Sequence, residues 1–307
     1  MLDVALLGTG GMVPLPHRWL SSVLLRWQSH LILFDCGEGT QITLRALGWG
    51  VKNLDLILIS HLHGDHVSGL PGLLLSQGNA GRTAPVRIVG PPGLEAVVAG
   101  LCVVAPHLPF KLKCHEVDGP GPLSPEVTFE GLVGACTLAD HSVPCLAYRL
   151  DVPRQPRFQP EHARALGVPM QQWKTLAQGQ TAQVTGRTVR PGEVLGPPRA
   201  GMAVGLVTDT RPTAEIETLA RGVDLLICEG TYGSSDDAPK AAERKHMTFA
   251  EAATLAKRAG VRQLVLTHFS PALAHPEEYA ANAQTIFPNT IVGADHLTLS
   301  LTFDRDE

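Results

Sequence analysis

The stretch Leu54-Asp55-Leu56-Ile57-Leu58-Ile59-Ser60-His61-Leu62-His63-Gly64-Asp65-His66 decides how the rest of this 307-residue chain is read. Residues 54–59 form a nearly continuous aliphatic run, as expected of a strand buried on both faces. The run leads directly into four groups that bind metals: His61, His63, Asp65 and His66. In an extended chain His61 and His63 point the same way, because side chains alternate with a period of two. Gly64 permits a turn, after which Asp65 and His66 approach from the other side. Three imidazoles and a carboxylate within six residues can serve two adjacent metal positions. Zinc and similar borderline metals take this donor set.

A dinuclear site needs further ligands, and a carboxylate suits the space between two cations. The chain supplies them after other apolar runs: Asp140-His141 after Leu138-Ala139, Asp209 after 203–207, and His268 after 264–266. All three stand at expected strand ends, where a sheet edge can gather them. His17, His30, His107, His115, His162, His275 and His296 lack this context and read mostly as surface or packing residues.

Short apolar runs at 4–7, 23–27 and 31–34 read as strands, and 38–47 as a helix stopped by Gly48. The last third repeats this grammar. It reads as a strand at 203–207, a helix at 214–221, a strand at 224–228 and a helix at 248–259. That last helix has a Thr248/Glu251 capping box and ends at Gly260. Strands at 264–266 and 297–302 follow. Two β-rich halves with helices outside fit an α+β fold, a four-layer αββα sandwich forming one domain over 1–307. Gly8-Thr9-Gly10-Gly11 lacks the third glycine of a dinucleotide fingerprint and reads as a tight turn beside the active site.

Composition narrows the function classes. With 44% hydrophobic and 18% charged residues the chain is not disordered, and 31 glycines with 24 prolines indicate short elements and many turns. A net charge of −4 excludes a global basic field, so any nucleic acid must be held by a local patch. Such a patch exists. Residues 149–199 carry eight basic and three acidic residues, whereas the rest of the chain carries 17 basic and 26 acidic ones. Seven prolines fall in this insertion, which reads as an arm over 150–199 that handles an anion. Six cysteines without Cys-x-x-Cys spacing read as small buried hydrophobes in a reducing compartment. No apolar stretch of about 18 residues occurs, so no membrane partner is expected and the expected location is cytoplasmic.

The His61–His66 motif with later His, Asp and His resembles the metallo-β-lactamase superfamily. Longer stretches narrow the resemblance: 34–41 (FDCGEGTQ), 60–74 (SHLHGDHVSGLPGLL), 141–150 (HSVPCLAYRL), 196–199 (GPPR), 209–212 (DTRP), 245–261 (KHMTFAEAATLAKRAGV), 266–271 (LTHFSP) and 287–290 (FPNT). In this order, over nearly the whole chain, they are similar to the ribonuclease Z family of tRNA 3′-processing endonucleases. The basic insertion falls where that family carries a protruding tRNA-binding arm.

The resemblance implies two zinc ions per chain, with manganese or iron(II) as substitutes. His61, His63 and His141 would hold one ion, Asp65, His66 and His268 the other, and Asp209 would bridge. It implies that Asp65 accepts a proton from the attacking water and that His246 donates one to the leaving oxygen. Glu229, at the end of the preceding strand, would hold and charge the His246 ring. A helix N-terminus at 248 favours a neutral His246. The products would be a 3′-hydroxyl on the tRNA and a 5′-phosphate on the trailer. Arg18, Arg154, Arg157, Arg164 and Lys174 are the expected substrate-binding residues, and a homodimer is implied. The sequence departs from the family where substrate would be gripped. The N-terminal loop reads Pro14-Leu15-Pro16-His17-Arg18-Trp19 rather than Pro-x-Lys/Arg-x-Arg-Asn, and Met170-Gln171-Gln172-Trp173 replaces a Gly-Pro pair. The alternative is therefore a dinuclear phosphodiesterase acting on other RNA or small diesters.

Overall fold

The aliphatic run is the strand Leu54–Leu58, buried along its length except at the half-buried Asp55. The computed structural model describes residues 1–125, 128, 129, 131–184 and 186–303. Its strands are, in chain order, β1 (Leu2–Gly8), β2 (Ser22–Trp27), β3 (His30–Phe34), β4 (Leu54–Leu58), β5 (Val86–Gly90), β6 (Leu112–Glu116), β7 (Gly121–Pro122) and β8 (Val133–Ala139). There follow β9 (Cys145–Arg154), β10 (Ala182–Val184), β11 (Arg187–Val189), β12 (Arg199–Val207), β13 (Leu225–Glu229), β14 (Gln263–Thr267), β15 (Thr290–Val292) and β16 (Thr298–Leu301).

One seven-stranded sheet has the order β16-β1-β2-β3-β4-β5-β6 and the other β15-β14-β13-β12-β9-β8-β7. Both are mixed. Strands β3 to β6 run parallel, as do β12 to β15. The crossovers that parallel strands require carry helices. Leu44, Leu70, Leu73, Leu74, Leu94 and Val98 of three such helices pack on the first sheet. Ile216, Phe249, Ala252 and Ala256 cover the second. The result is the four-layer αββα sandwich of the metallo-β-lactamase fold. The chain forms two compact units, one of Met1–Val152 with Met202–Thr302 and another of Pro153–Gly201 with Phe303.

The sheets are joined where the chemistry begins. Fully buried Tyr148 of β9 donates its hydroxyl to the Ile59 carbonyl at 2.8 Å. Its ring meets that of Phe34 edge-on, with centroids 6.0 Å apart. Leu146 donates its backbone N–H to the Ser60 carbonyl at 2.8 Å. The two residues before His61 are thus tied to the opposite sheet.

Boundaries differ from the sequence reading for identifiable reasons. The first helix is Thr40–Leu47, starting two residues later than expected, because Gly39 at its N-cap is left-handed with φ of 93°. A Cβ there would lie 2.0 Å from the Trp19 ring, so only glycine fits. Strand β12 starts at Arg199, four residues early. The Thr248/Glu251 capping box and the Gly260 stop on the helix Phe249–Ala259 are as expected.

The basic segment is itself folded. Pro160 opens the helix Pro160–Ala165, Pro169 precedes the helix Met170–Ala177, and Pro191 opens a 3₁₀ turn. These prolines start elements rather than break them, because a first-turn residue has no intrahelical N–H bond to lose. Ala163, Val168, Leu176, Ala182, Val184, Val189 and Val194 form its core, with Phe158, Leu166 and Trp173 packed against it. All six cysteines are free thiols, with Cys36, Cys136, Cys145 and Cys228 buried. Among the described residues no helix is long and apolar enough to cross a membrane.

Tyr148→Phe leaves the Ile59 carbonyl without its partner in a dry interface. Such a loss costs about 1–3 kcal/mol, and urea unfolding should show a destabilisation in that range. An unchanged midpoint would mean that this bond does not hold the sheets.

Candidate metal centre

Parallel strands of an open sheet present their ligand-binding loops at their carboxyl ends. Here β3 leads into Asp35, β4 leads into Ser60-His61, β12 leads into Asp209, β13 ends in Glu229 and β14 leads into His268. His63 N-caps a single helical turn, Gly64–Val67, which turns Asp65 and His66 back toward the strands. Asp35, Asp209 and His268 all have left-handed backbone, with φ of 58°, 45° and 59°. Such conformations are uncommon for residues with a Cβ, and the surrounding structure must enforce them. Gly11 also serves the site: a Cβ there would lie 2.5 Å from the His268 ring, as the tight-turn reading of Gly8–Gly11 anticipates.

The structure brings His61, His63, Asp65, His66, His141, Asp209 and His268 together. The potential ligand atoms of His61, His63 and His141 lie within 4.8 Å of one another, and so do those of Asp65, His66 and His268. Asp209 stands between the two sets. Its Oδ2 is 3.3 Å from His61 Nε2 and 2.8 Å from His66 Nε2, and its Oδ1 is 3.0 Å from His268 Nε2. Ring nitrogens face each other across the cluster, His61 to His63 at 2.9 Å and His66 to His268 at 3.2 Å.

This donor set fits a pair of divalent cations. Asp209 is 2% exposed, yet its Oδ1 makes no hydrogen bond of good geometry. A buried carboxylate oxygen without a donor is costly, and a cation would satisfy it. Burial holds the His61 imidazole well below its ordinary range, with the charge on His66 adding to the effect. Burial opposes charge on His66 too, but the Asp209 and Asp35 carboxylates outweigh it and raise that ring well above its ordinary value. Asp209 is held well below the usual carboxylate range: burial works against it, and His268, His66 and His61 prevail.

His246 joins the cluster. Its Nδ1 is 3.2 Å from Glu229 Oε1 and 3.4 Å from Asp209 Oδ1. Glu229 is fully buried and is held by the backbone N–H of Thr210 at 2.6 Å, that of Met247 at 2.9 Å and the Thr231 hydroxyl at 2.7 Å. Two opposing influences were expected on His246, the helix terminus and Glu229. Burial disfavours the imidazolium, but Glu229 at hydrogen-bonding distance outweighs it and pushes the ring up to about 9. A full charge in contact exceeds the partial charge of a helix terminus whose N–H groups are already capped. A cavity of about 590 Å³ opens over this cluster, with Met12, Tyr232, Lys240 and Arg244 on its walls.

A profile described as "Beta-lactamase superfamily domain" matches residues 30–269. The chain is 48% identical to ribonuclease Z of Lachnoclostridium phytofermentans and 46% identical to that of Agathobacter rectalis, with all of both chains covered in each case. The chain belongs to the ribonuclease Z family. Among solved structures, the short form of human tRNase Z matches with a TM-score of 0.70 and 24% identity, covering 98% of this chain and all of the other. The metallo-beta-lactamase fold protein YhfI of Bacillus subtilis matches with a TM-score of 0.68 and 19% identity, covering 97% and 98%.

The residues expected to grip substrate differ in their surroundings. Arg18 donates from Nη1 to the Leu273 carbonyl and from Nη2 to the Ala274 carbonyl, both at 2.9 Å, which ties down the loop after His268. Arg154 stacks on Phe303 at 5.0 Å and Arg164 on Trp173 at 5.5 Å. Arg157 and Lys174 are exposed. Two carboxylates that brace the site's loops escaped the sequence reading. Asp35 is fully buried, accepts the Ser60 N–H at 2.7 Å and lies 2.7 Å from His66 Nδ1. Asp295 accepts from the Thr9 and Trp19 backbone N–H groups at 2.9 and 2.7 Å. Asp35 follows an apolar run as Asp209 does, and that shared position was the available signal.

A carboxylate behind a ligating histidine fixes its tautomer and raises its basicity, and its loss lowers metal affinity about 10–100-fold. Asp35→Asn should therefore weaken zinc binding by that factor in a chelator-competition titration. Unchanged affinity would mean that Asp35 only shapes the strand end.

Proposed function

We infer that the chain is a metal-dependent endoribonuclease that cuts the 3′ trailer from precursor tRNA. Full-length similarity to curated ribonucleases Z supports the substrate. The observation that carries the mechanism is the placement of His246, 3.2 Å from Glu229 and 3.4 Å from the carboxylate shared by two histidine clusters, which supports its reading as the proton donor. His61, His63 and His141 would hold one zinc ion, Asp65, His66 and His268 a second, and Asp209 would serve both. Two such ions supply charge stabilisation at the phosphodiester and a water acidic enough to attack near neutral pH.

The remaining work falls to the chain itself. Met12 donates its backbone N–H to Asp65 Oδ2 at 2.7 Å, which fixes the carboxylate that takes the proton of the attacking water. His246 has Nδ1 directed at Glu229, so Nε2 is left to donate to the departing 3′-oxygen of the tRNA. A positioned acid of this kind contributes roughly 10²–10⁴-fold. The products are a 3′-hydroxyl and a trailer with a 5′-phosphate.

The folded basic segment is the tRNA-binding arm of this reading. Arg157 and Arg199 line a cavity of about 660 Å³ within it, together with Glu161 and His162, and guanidinium groups around a hollow suit backbone phosphate. In this reading the enzyme works as a homodimer in the cytoplasm.

Replacing residues 154–190 by a short Gly-Ser linker tests the reading, because every candidate ligand lies outside them. Hydrolysis of bis-p-nitrophenyl phosphate should persist. Precursor tRNA cleavage should fall by orders of magnitude through KM, and its salt dependence should flatten as phosphate contacts disappear. Cleavage that survives the replacement removes the arm from the account. An intact enzyme that cuts the small diester but no precursor tRNA contradicts the substrate.

A further inference from the structure

We infer that Arg211 is a positioning residue for proton donation by His246: its guanidinium locks the His246 backbone to the turn that carries Asp209. The inference rests on the endonuclease reading for the role of His246 and on geometry for the rest.

Arg211 lies two residues after Asp209. Its Nη1 donates to the His246 carbonyl, and its Nη2 donates to Glu251 Oε1. Glu251 also accepts the Thr248 backbone N–H at 2.9 Å and the Thr248 hydroxyl at 3.1 Å. The guanidinium therefore grips the 246–248 segment twice, directly at His246 and through the capping box that starts the next helix. From its own backbone, Arg211 donates its N–H to the Asp140 carbonyl at 3.2 Å, while Asp140 donates its N–H to the Thr210 hydroxyl at 3.0 Å. Lys245 completes the junction. It is left-handed with φ of 58°, and its ammonium lies 2.7 Å from Asp140 Oδ1 and 3.3 Å from the His141 carbonyl. Three loops, bearing His141, Asp209 and His246, meet at Arg211.

Stability does not account for this arrangement. The Arg211 and Glu251 side chains are 21% and 25% exposed, and ion pairs so open to water contribute little to folding. Thr248 and Glu251 cap the helix without any arginine. A cation at a helix N-terminus also stands against the helix dipole. What the guanidinium adds is a planar fork that holds a carbonyl and a carboxylate together, which a lysine cannot reproduce. Proton transfer rewards such fixing, because a misplacement of about 1 Å can cost about 10²-fold in rate.

A double-mutant cycle tests the inference. Precursor tRNA and thymidylyl-thymidine have alkoxide leaving groups that need a proton. Thymidine 5′-p-nitrophenyl phosphate releases a nitrophenolate that does not. With the zinc-loaded enzyme, Arg211→Met should lower kcat on the alkoxide substrates by about 10–100-fold, with KM changed by less than about two-fold and bound zinc unchanged. The loss should be smaller with the nitrophenolate, and Arg211→Lys should not restore it. In a His246→Ala background the same substitution should cost less than about three-fold, because residues that act as one unit are not additive. Full loss in that background, equal loss on all substrates, or loss of zinc would show that Arg211 merely holds the Asp209 turn and would overturn the inference. If Arg211→Met does not fold, Glu251→Gln runs the same cycle with the same expected pattern. A wild type that cuts thymidylyl-thymidine but no precursor tRNA would refute the substrate reading, while the cycle on the dinucleotide would still decide the role of Arg211.

Discussion

One buried carboxylate sets the terms for the rest of the site. Asp209 is 2% exposed and has ring nitrogens of His61, His66, His246 and His268 within 3.4 Å. A carboxylate so desolvated is tolerable only where positive charge converges on it. The fold supplies that convergence by ending strands of both sheets at one edge. The left-handed backbone at Asp35, Asp209 and His268 is the local consequence, since a strand that delivers a side chain across its own end must turn sharply there.

The same constraint explains the outer layer of polar contacts. Asp35 behind His66 and Glu229 behind His246 are both fully buried carboxylates. Each accepts backbone N–H groups that fix it before it acts on its histidine, Ser60 for Asp35, and Thr210 and Met247 for Glu229. Each of these two rings is therefore oriented by a buried carboxylate that backbone N–H groups hold in place. Such preorganisation makes electrostatic stabilisation effective, because the dipoles need not rearrange during the reaction.

The metal centre was legible in the sequence, because its donors are spelled out locally. His61, His63, Asp65 and His66 stand together, and His141, Asp209 and His268 each follow an apolar run that ends in a turn. The four-layer fold was legible for the same reason, since continuous aliphatic strands such as β4 alternate with capped helices such as Phe249–Ala259. Less legible was everything that depends on contacts distant in sequence. Glu229, seventeen residues from His246, was read as the partner of that ring, but that it outweighs the nearby helix terminus shows only in the contact itself. Asp35 acts through His66, thirty-one residues on. The basic segment read as an arm from its charge, but its own folded core did not show, because that core is small, mostly alanines and valines with Leu176, and its prolines stand at element starts. Nor could the sequence show that the Arg18 guanidinium is bonded to the Leu273 and Ala274 carbonyls.

The central claim is that Asp209 bridges two metal ions. Anomalous diffraction at the zinc edge from crystals grown with zinc tests it most directly. The account predicts two peaks per chain about 3.5–4 Å apart, with the Asp209 carboxylate between them, one beside His61, His63 and His141 and the other beside Asp65, His66 and His268. A single peak under zinc excess, or two peaks with Asp209 turned away from both, would contradict it.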